Sequence, residues 1–213
     1  MSRSPPIPEI SSHGAPSGNN GRSWRRLGSG YICPQTVNWE RPTMPDTLER
    51  RYSPLVPPDM QDELFWKDGL DPEDERLWVP NGPGRWSRPL CLNVSQGYWV
   101  HITKVTEAGI VSRHRHPAPV HGFVIEGKWR YLERDWVATA GSYLFEPPGD
   151  VHTLVVDEGD YMITLFHNSG ALLYCDEDGN TVGSTDVFDR VKAARDHYEE
   201  VGLGTDFVKR FIR

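Results

Sequence analysis

Residues 109–127 read GIVSRHRHPAPVHGFVIEG, and the way this stretch folds decides how the rest of the chain is read. It divides into GIVSRHRH, a Pro-Ala-Pro break at 117–119, and VHGFVIEG. Proline-rich punctuation between two apolar-containing runs marks a turn between strands. Side chains on a strand alternate between its faces, so His114 and His116 share one face and Arg113 and Arg115 the other. A hairpin at 117–119 returns His121 to the neighbourhood of the first pair. Three of the eight histidines thus fall within nine residues, 114–122. Buried imidazoles cost free energy unless their nitrogens find partners.

The pattern continues on both sides. From 91 to 175, short runs such as GYWVHITKV, KWRYLER, VHTLVV and YMITLFH alternate with the turn signals EAG, TAG, PPGD, DEGD and DEDGN. Many short strands with Gly/Pro turns predict an all-β fold, a small antiparallel barrel or jelly roll. In GSYLFEPPGDVH, residues 141–152, a Pro-Pro-Gly-Asp turn delivers His152 onto a further strand, with Leu154 and Val156 sharing its face as core. Four imidazoles converging in a barrel, His114, His116, His121 and His152, predict a metal site. Neutral imidazole suits Fe, Zn, Cu and Ni.

The carboxylates nearest these segments are Glu146, directly before the Pro-Pro turn, and Glu133 in YLERDW. Either can take a substrate proton or orient a ligating histidine, and either can be a solvated charge at a strand end. Trp129, Tyr131, Tyr143, Phe145 and Phe166 stand at strand spacing, as core or as an aromatic pocket wall. The faces of His101 and His167 are not assigned by the pattern, and both read as structural histidines. His197 falls off the apolar stripe of a helix, and His13 lies in a polar segment.

Three regions follow. Residues 1–52, rich in Ser, Gly, Pro and Asn, read as an extended or disordered tail that cannot bury enough apolar surface to offset its ordering entropy. Residues 53–180 hold the barrel, preceded by a wrapping segment that carries Trp66, Trp78 and Trp86. Residues 181–213 are helical: Val187, Val191, Ala194, Tyr198 and Val201 line one face, Thr185 or Asp186 caps the start, and TDFVKRFIR adds a short final helix.

The 213 residues are 37% apolar with a net charge of −7, enough for a core and unfavourable for non-specific nucleic-acid or anionic-membrane binding. Three cysteines without a CxxC pair are no disulfide framework and fit a reducing compartment. No run approaches the roughly 18–20 apolar residues of a membrane span. The N-terminal MSRSPPIPEISSHG lacks the apolar centre of a secretion signal. These features lead us to expect a soluble cytoplasmic protein.

The two histidine segments carry a resemblance. GIVSRHRHPAPVHGFVIEG resembles the first motif of the cupin superfamily: a glycine, HxH, a further ligand four or five residues on, and a closing glycine. GSYLFEPPGDVH is similar to the second motif in full. The first motif departs twice: Gly109 to His114 is one residue short, and His121 replaces the usual glutamate. Across roughly residues 55–200 the chain resembles the 2,4'-dihydroxyacetophenone dioxygenase family, with the acetylacetone-cleaving dioxygenases as near neighbours. The resemblance implies a non-haem Fe(II) centre, with Zn, Ni or Cu as alternatives. It also implies O2-dependent cleavage of a C–C bond in an enolisable hydroxyketone or β-dicarbonyl. In that setting His121 is either a fourth ligand or a base or hydrogen-bond donor beside the metal. Two other activities stay open: a non-oxidative isomerase, cyclase or decarboxylase, and a zinc-binding sensor module. A homo-oligomer, dimer or tetramer, is expected.

Overall fold

The computed structural model describes residues 59–70 and 73–213; the tail expected over 1–52 lies outside the described residues. Strands run in the order β1 (Val79–Pro80), β2 (Arg85–Asn93), β3 (Tyr98–Val105), β4 (Gly109–Arg115), β5 (Val120–Tyr131) and β6 (Ala138–Thr139). There follow β7 (Tyr143–Glu146), β8 (Val151–Val156), β9 (Met162–Ser169), β10 (Leu172–Cys175) and β11 (Thr181–Thr185), then helix α1 (Val187–Glu200). Short 3-10 turns lie at Glu75–Leu77 and Thr205–Phe211.

All strand pairs are antiparallel. The sheet order is β1-β2-β3-β9-β5-β8-β4-β10-β11, with β6 and β7 also on β5. The sheet curls into a half-barrel because β5 changes partners along its length. Its first half pairs with β9 and β7, and Arg130–Tyr131 pair with β8. A bulge between Val124 and Glu126 precedes the change, within the stretch paired with β9; an extra residue there bends the strand and increases its twist.

Alternation sorts the inward residues. β9 alternates strictly, with Met162, Thr164, Phe166 and Asn168 buried. The barrel core joins Val105, Val120, Val124, Trp129, Tyr131, Leu154, Val156, Met162 and Phe166. The indole N–H of Trp129 donates to Thr164 Oγ1 at 2.9 Å, so this buried polar atom is satisfied.

A second core seats the C-terminal elements. Val187, Val191, Ala194 and Tyr198 of α1 bury with Leu92, Trp99, Val208 and Phe211. Full burial of such aliphatic and Phe side chains contributes about 1.5–3 kcal/mol each. Trp66 stacks on Phe211 with centroids 4.8 Å apart and donates its indole N–H to the Leu90 carbonyl, so this tryptophan of the expected wrapping segment packs on its own domain. Asp186 caps α1: its carboxylate accepts the N–H groups of Phe188 and Asp189, and its own N–H donates to Asp189. The far end is tied by Val94 N–H to Arg213 O at 2.8 Å and Arg213 N–H to Leu92 O at 3.0 Å.

Candidate metal centre and its cavity

β4 and β8 pair so that His114 lies directly opposite His152. His116 stands one residue past the end of β4, and its carbonyl accepts the N–H of Gly149 at 2.7 Å. Gly149 has φ 90°, a left-handed conformation that a side chain would strain. The glycine of the Pro-Pro-Gly-Asp turn therefore couples the two histidine segments. Glu146 ends β7 opposite Val120 of β5.

These elements bring His114, His116, Glu146 and His152 together, all buried, with one donor atom from each lying within 4.8 Å of the others. His114 Nε2 is 3.1 Å from His116 Nε2 and 3.2 Å from His152 Nε2. Glu146 Oε2 is 3.0 Å from His116 Nε2 and 3.5 Å from His152 Nε2. Nitrogens and oxygens held about 2.0–2.1 Å from one ion lie roughly 2.9–3.4 Å apart on adjacent coordination positions. Three of these edges fall within that spacing, and the Glu146–His152 edge at 3.5 Å lies just beyond it.

Proton counting supports the same fit. Burial first, and the neighbouring His116 and His152 second, hold His114 well below the ordinary histidine range. Burial also lowers His152. Neutral His114 carries a single ring proton; placed on Nδ1 and donated to Ser112 Oγ at 2.9 Å, it leaves a lone pair at Nε2. His116 Nδ1 is buried without a hydrogen-bond partner among the described residues, so Nε2 is its one engaged ring nitrogen there. Too few protons are available to make all four edges hydrogen bonds, whereas one cation satisfies all four donors.

Glu146 is held in place. Burial alone would raise its carboxyl, but the hydrogen bond from His116 and the charges of His152 and His116 hold it below the ordinary value. The Tyr131 hydroxyl donates to Glu146 Oε1 at 2.5 Å, and its ring lies on His152 with centroids 4.1 Å apart. Burial and the adjacent Glu146 carboxylate push the Tyr131 phenol well up, so it stays a donor. His152 Nδ1 lies 3.7 Å from Asp150, which pairs with Arg134.

A cavity of about 280 Å³ opens on the group, with His114, His116, Glu146 and Tyr131 in its lining. Val111, Val120, Leu154, Phe166 and Leu172 form its apolar walls. His101, Asn168, Tyr174 and Arg190 add a polar side. His101 is buried between Ser87 Oγ, 2.6 Å from Nδ1, and Asn168 Nδ2, 3.1 Å from Nε2.

The geometry departs from the sequence expectation at two residues. His121 is not brought to the group. The buried residues at the start of β5 are Val120, Gly122 and Val124, so His121 points to the other face. There its Nδ1 meets the Tyr143 hydroxyl at 2.9 Å and its ring neighbours Phe145 and His167. Glu133 does not line the cavity. It accepts from Thr153 N–H and Oγ1, both at 2.8 Å, and from Arg113 at 3.0 Å, a clamp between the end of β5 and β8. Glu146, expected beside the motifs as an acid or base, stands in the donor group itself. Of the expected aromatics, Tyr131 and Phe166 line the cavity, Trp129 is core, and Tyr143 and Phe145 are exposed. The sequence pattern does not single out Asn168 or Arg190 and reads His101 as a structural histidine, whereas all three line the cavity. The signal for Asn168 and His101 was strand parity on β9 and β3; Arg190 had none in the sequence.

Comparison with known proteins follows the same lines. Residues 70–173 match the ChrR cupin-like domain family. An RmlC-like cupin protein from Ralstonia eutropha JMP134 is 27% identical, with 59% of this chain and 83% of that one covered at a TM-score of 0.56. A second R. eutropha JMP134 protein with a cupin-like fold is 25% identical, covering 56% of this chain and 75% of that one at 0.54. An acetylacetone dioxygenase from Acinetobacter johnsonii is 18% identical, with 64% and 97% covered at 0.52, a likeness of fold. No curated protein matches the sequence. Among the described residues no helix is long and apolar enough to cross a membrane.

Proposed function

We propose that this chain, whose residues 70–173 match the ChrR cupin-like domain family, is a metal-dependent dioxygenase that cleaves a C–C bond of an enolisable β-dicarbonyl or hydroxyketone, with Fe(II) as the metal. The observation that carries this reading is the buried group of three imidazoles and one carboxylate facing a small cavity with one apolar and one polar side. Ferrous iron held there supplies a Lewis acid for the substrate oxygens and an electron source for O2.

The chain's own residues do the rest. His114, His116, His152 and Glu146 hold the ion, and the one carboxylate leaves a net charge of +1 on a divalent metal. A positive site favours the enolate form of an acidic 1,3-diketone. Tyr131 fixes Glu146 through its hydroxyl and His152 through its ring. Val120, Leu154 and Phe166 exclude water around the reacting carbons. The overall reaction needs no external reductant: a 1,3-diketone and O2 give a carboxylic acid and a 1,2-dicarbonyl, with one oxygen atom in each product.

The test is metal analysis after anaerobic purification, joined to oxygen-electrode assays on a panel of 1,3-diketones and hydroxyketones. Oxygen uptake matched to product carboxylate supports the reading. Ketone turnover without oxygen uptake would replace it with Lewis-acid isomerase, cyclase or decarboxylase chemistry. The match to the ChrR cupin-like domain favours a second reading, a metal-binding regulatory module. Stoichiometric metal with no turnover of any panel member would select it.

A further inference from the structure

Among the described residues, Arg190 is the one cavity-lining arginine whose guanidinium has no oxygen partner. It sits in the first turns of α1, and its Nε is sealed from water with no hydrogen-bond partner among the described residues. Its guanidinium carbon lies 5.9 Å from the Trp99 ring centroid. The other lining arginine, Arg85, is committed: its two terminal nitrogens donate to the carbonyls of Val111 and Ile110 at 2.6 and 2.7 Å.

Candidate counter-ions are committed too. Asp189, next in sequence, accepts the Asp186 N–H in the helix cap at 3.0 Å. The one carboxylate in the cavity lining, Glu146, belongs to the donor group. The half-buried Arg190 feels the Asp189 charge but has no hydrogen-bonded anion among the described residues, and a ligand anion at its guanidinium offsets part of the cost of taking the charge out of water. A guanidinium is suited to this because its fork matches a carboxylate with two parallel hydrogen bonds. The same lining holds neutral polar groups: Asn168 on His101, and the Tyr174 hydroxyl 3.1 Å from Thr185 Oγ1.

The geometry points to Arg190 as the docking position for a carboxylate of the substrate, in the same cavity as the metal-donor group. Resting on the reading above, this names the substrate class: an anionic 1,3-dicarbonyl, an oxo acid rather than a neutral diketone. The size fits. About 280 Å³ is the space of roughly nine waters at about 30 Å³ each, which suits a short-chain dioxo acid. Helix α1, expected from the sequence to be plain packing, then supplies one wall of the binding site.

The experiment compares two probes of the same chain length, 2,4-dioxopentanoate and pentane-2,4-dione. Their binding is titrated calorimetrically against wild type, R190Q and R190K, each metal-free and each loaded with Fe(II) under anaerobic conditions. Wild type is expected to bind the acid at least tenfold more tightly than the neutral diketone. R190Q should abolish that preference while leaving the affinity for pentane-2,4-dione within twofold. R190K, which keeps the charge and loses the fork, should retain part of the preference and serves if R190Q fails to fold. Equal affinity of wild type for the two probes, an unchanged preference in the variants, or no binding of the acid overturns the proposal. The effect of metal on both probes together is a separate readout. Its absence counts against the metal-dependent reading, while the acid preference and its loss in the variants still judge Arg190.

Discussion

The Tyr131 hydroxyl sits 2.5 Å from Glu146 Oε1 while the Tyr131 ring covers His152 at 4.1 Å. One side chain thereby positions two of the four donors. Tyr131→Phe keeps the ring and removes the hydroxyl, leaving a buried carboxylate oxygen unpaired. We expect a stability loss of about 1–3 kcal/mol. Metal affinity should fall about tenfold or more, as for other groups that orient a ligand. Chelator competition and denaturant melts check both numbers. Unchanged metal affinity would mean that Glu146 needs no orientation.

His152→Ala removes a buried donor and should strip most of the metal from protein purified without oxygen, as should His114→Ala. Glu146→Gln retains the shape and removes the charge, so its metal content should fall less than that of the histidine variants. Elemental analysis of the folded variants decides. Full metal content in His152→Ala would dissolve the assignment of the group.

His121→Ala should leave metal stoichiometry intact, because His121 lies on the outer face of β5 against Tyr143. A partly exposed site of this kind costs within about 0.5 kcal/mol on substitution. Loss of metal from this variant would show that His121 reaches the ion after all.

His101 gives a pH prediction. Burial first, and the charge of Arg190 second, hold it well below the ordinary value of 6.5. The unfolded chain therefore takes up a proton near pH 6.5 that the fold refuses. The stability tied to His101 is full above pH 6.5 and is lost as pH falls below it. His114 and His152 act in the same direction, so the informative quantity is a difference. Between pH 6 and 5, His101→Asn should reduce the slope of stability against pH by up to about 1.4 kcal/mol per unit. Denaturant titrations at several pH values, all metal-free, measure it. Parallel slopes for variant and wild type would show that His101 titrates normally in the fold.

Strand parity explains what the sequence made legible. His114 and His116 are two apart, and the Pro-Pro-Gly-Asp turn places His152 on the neighbouring strand, so their meeting follows from period two. The same parity turns His121 away: Val120 takes the inward place on β5, and even-numbered residues stay inward through Val124. Nothing local announces how many residues the 117–119 turn consumes, and an error of one reverses the face. Glu146 reaches the group through pairing of β7 with β5, a contact between separate hairpins. Arg190 is less accessible still. Its helix was readable from the spacing of Val187, Val191, Ala194 and Tyr198, but the wall that α1 closes is set by tertiary packing with Leu92 and Trp99.

The Gly149–His116 bond has a thermodynamic consequence. It closes the turn before β8 onto the end of β4, and His114 and His152, opposed beside it, are 38 residues apart in the chain. The four donor atoms therefore have no common location until β4, β7 and β8 have found their partners. Any ligand that requires all four has negligible affinity for the unfolded chain, and its binding energy becomes folding energy in full. Raising its free concentration from 10 to 100 times Kd would add about 1.4 kcal/mol to the stability of the whole barrel, so a site of four side chains acts as a clamp on the topology that builds it.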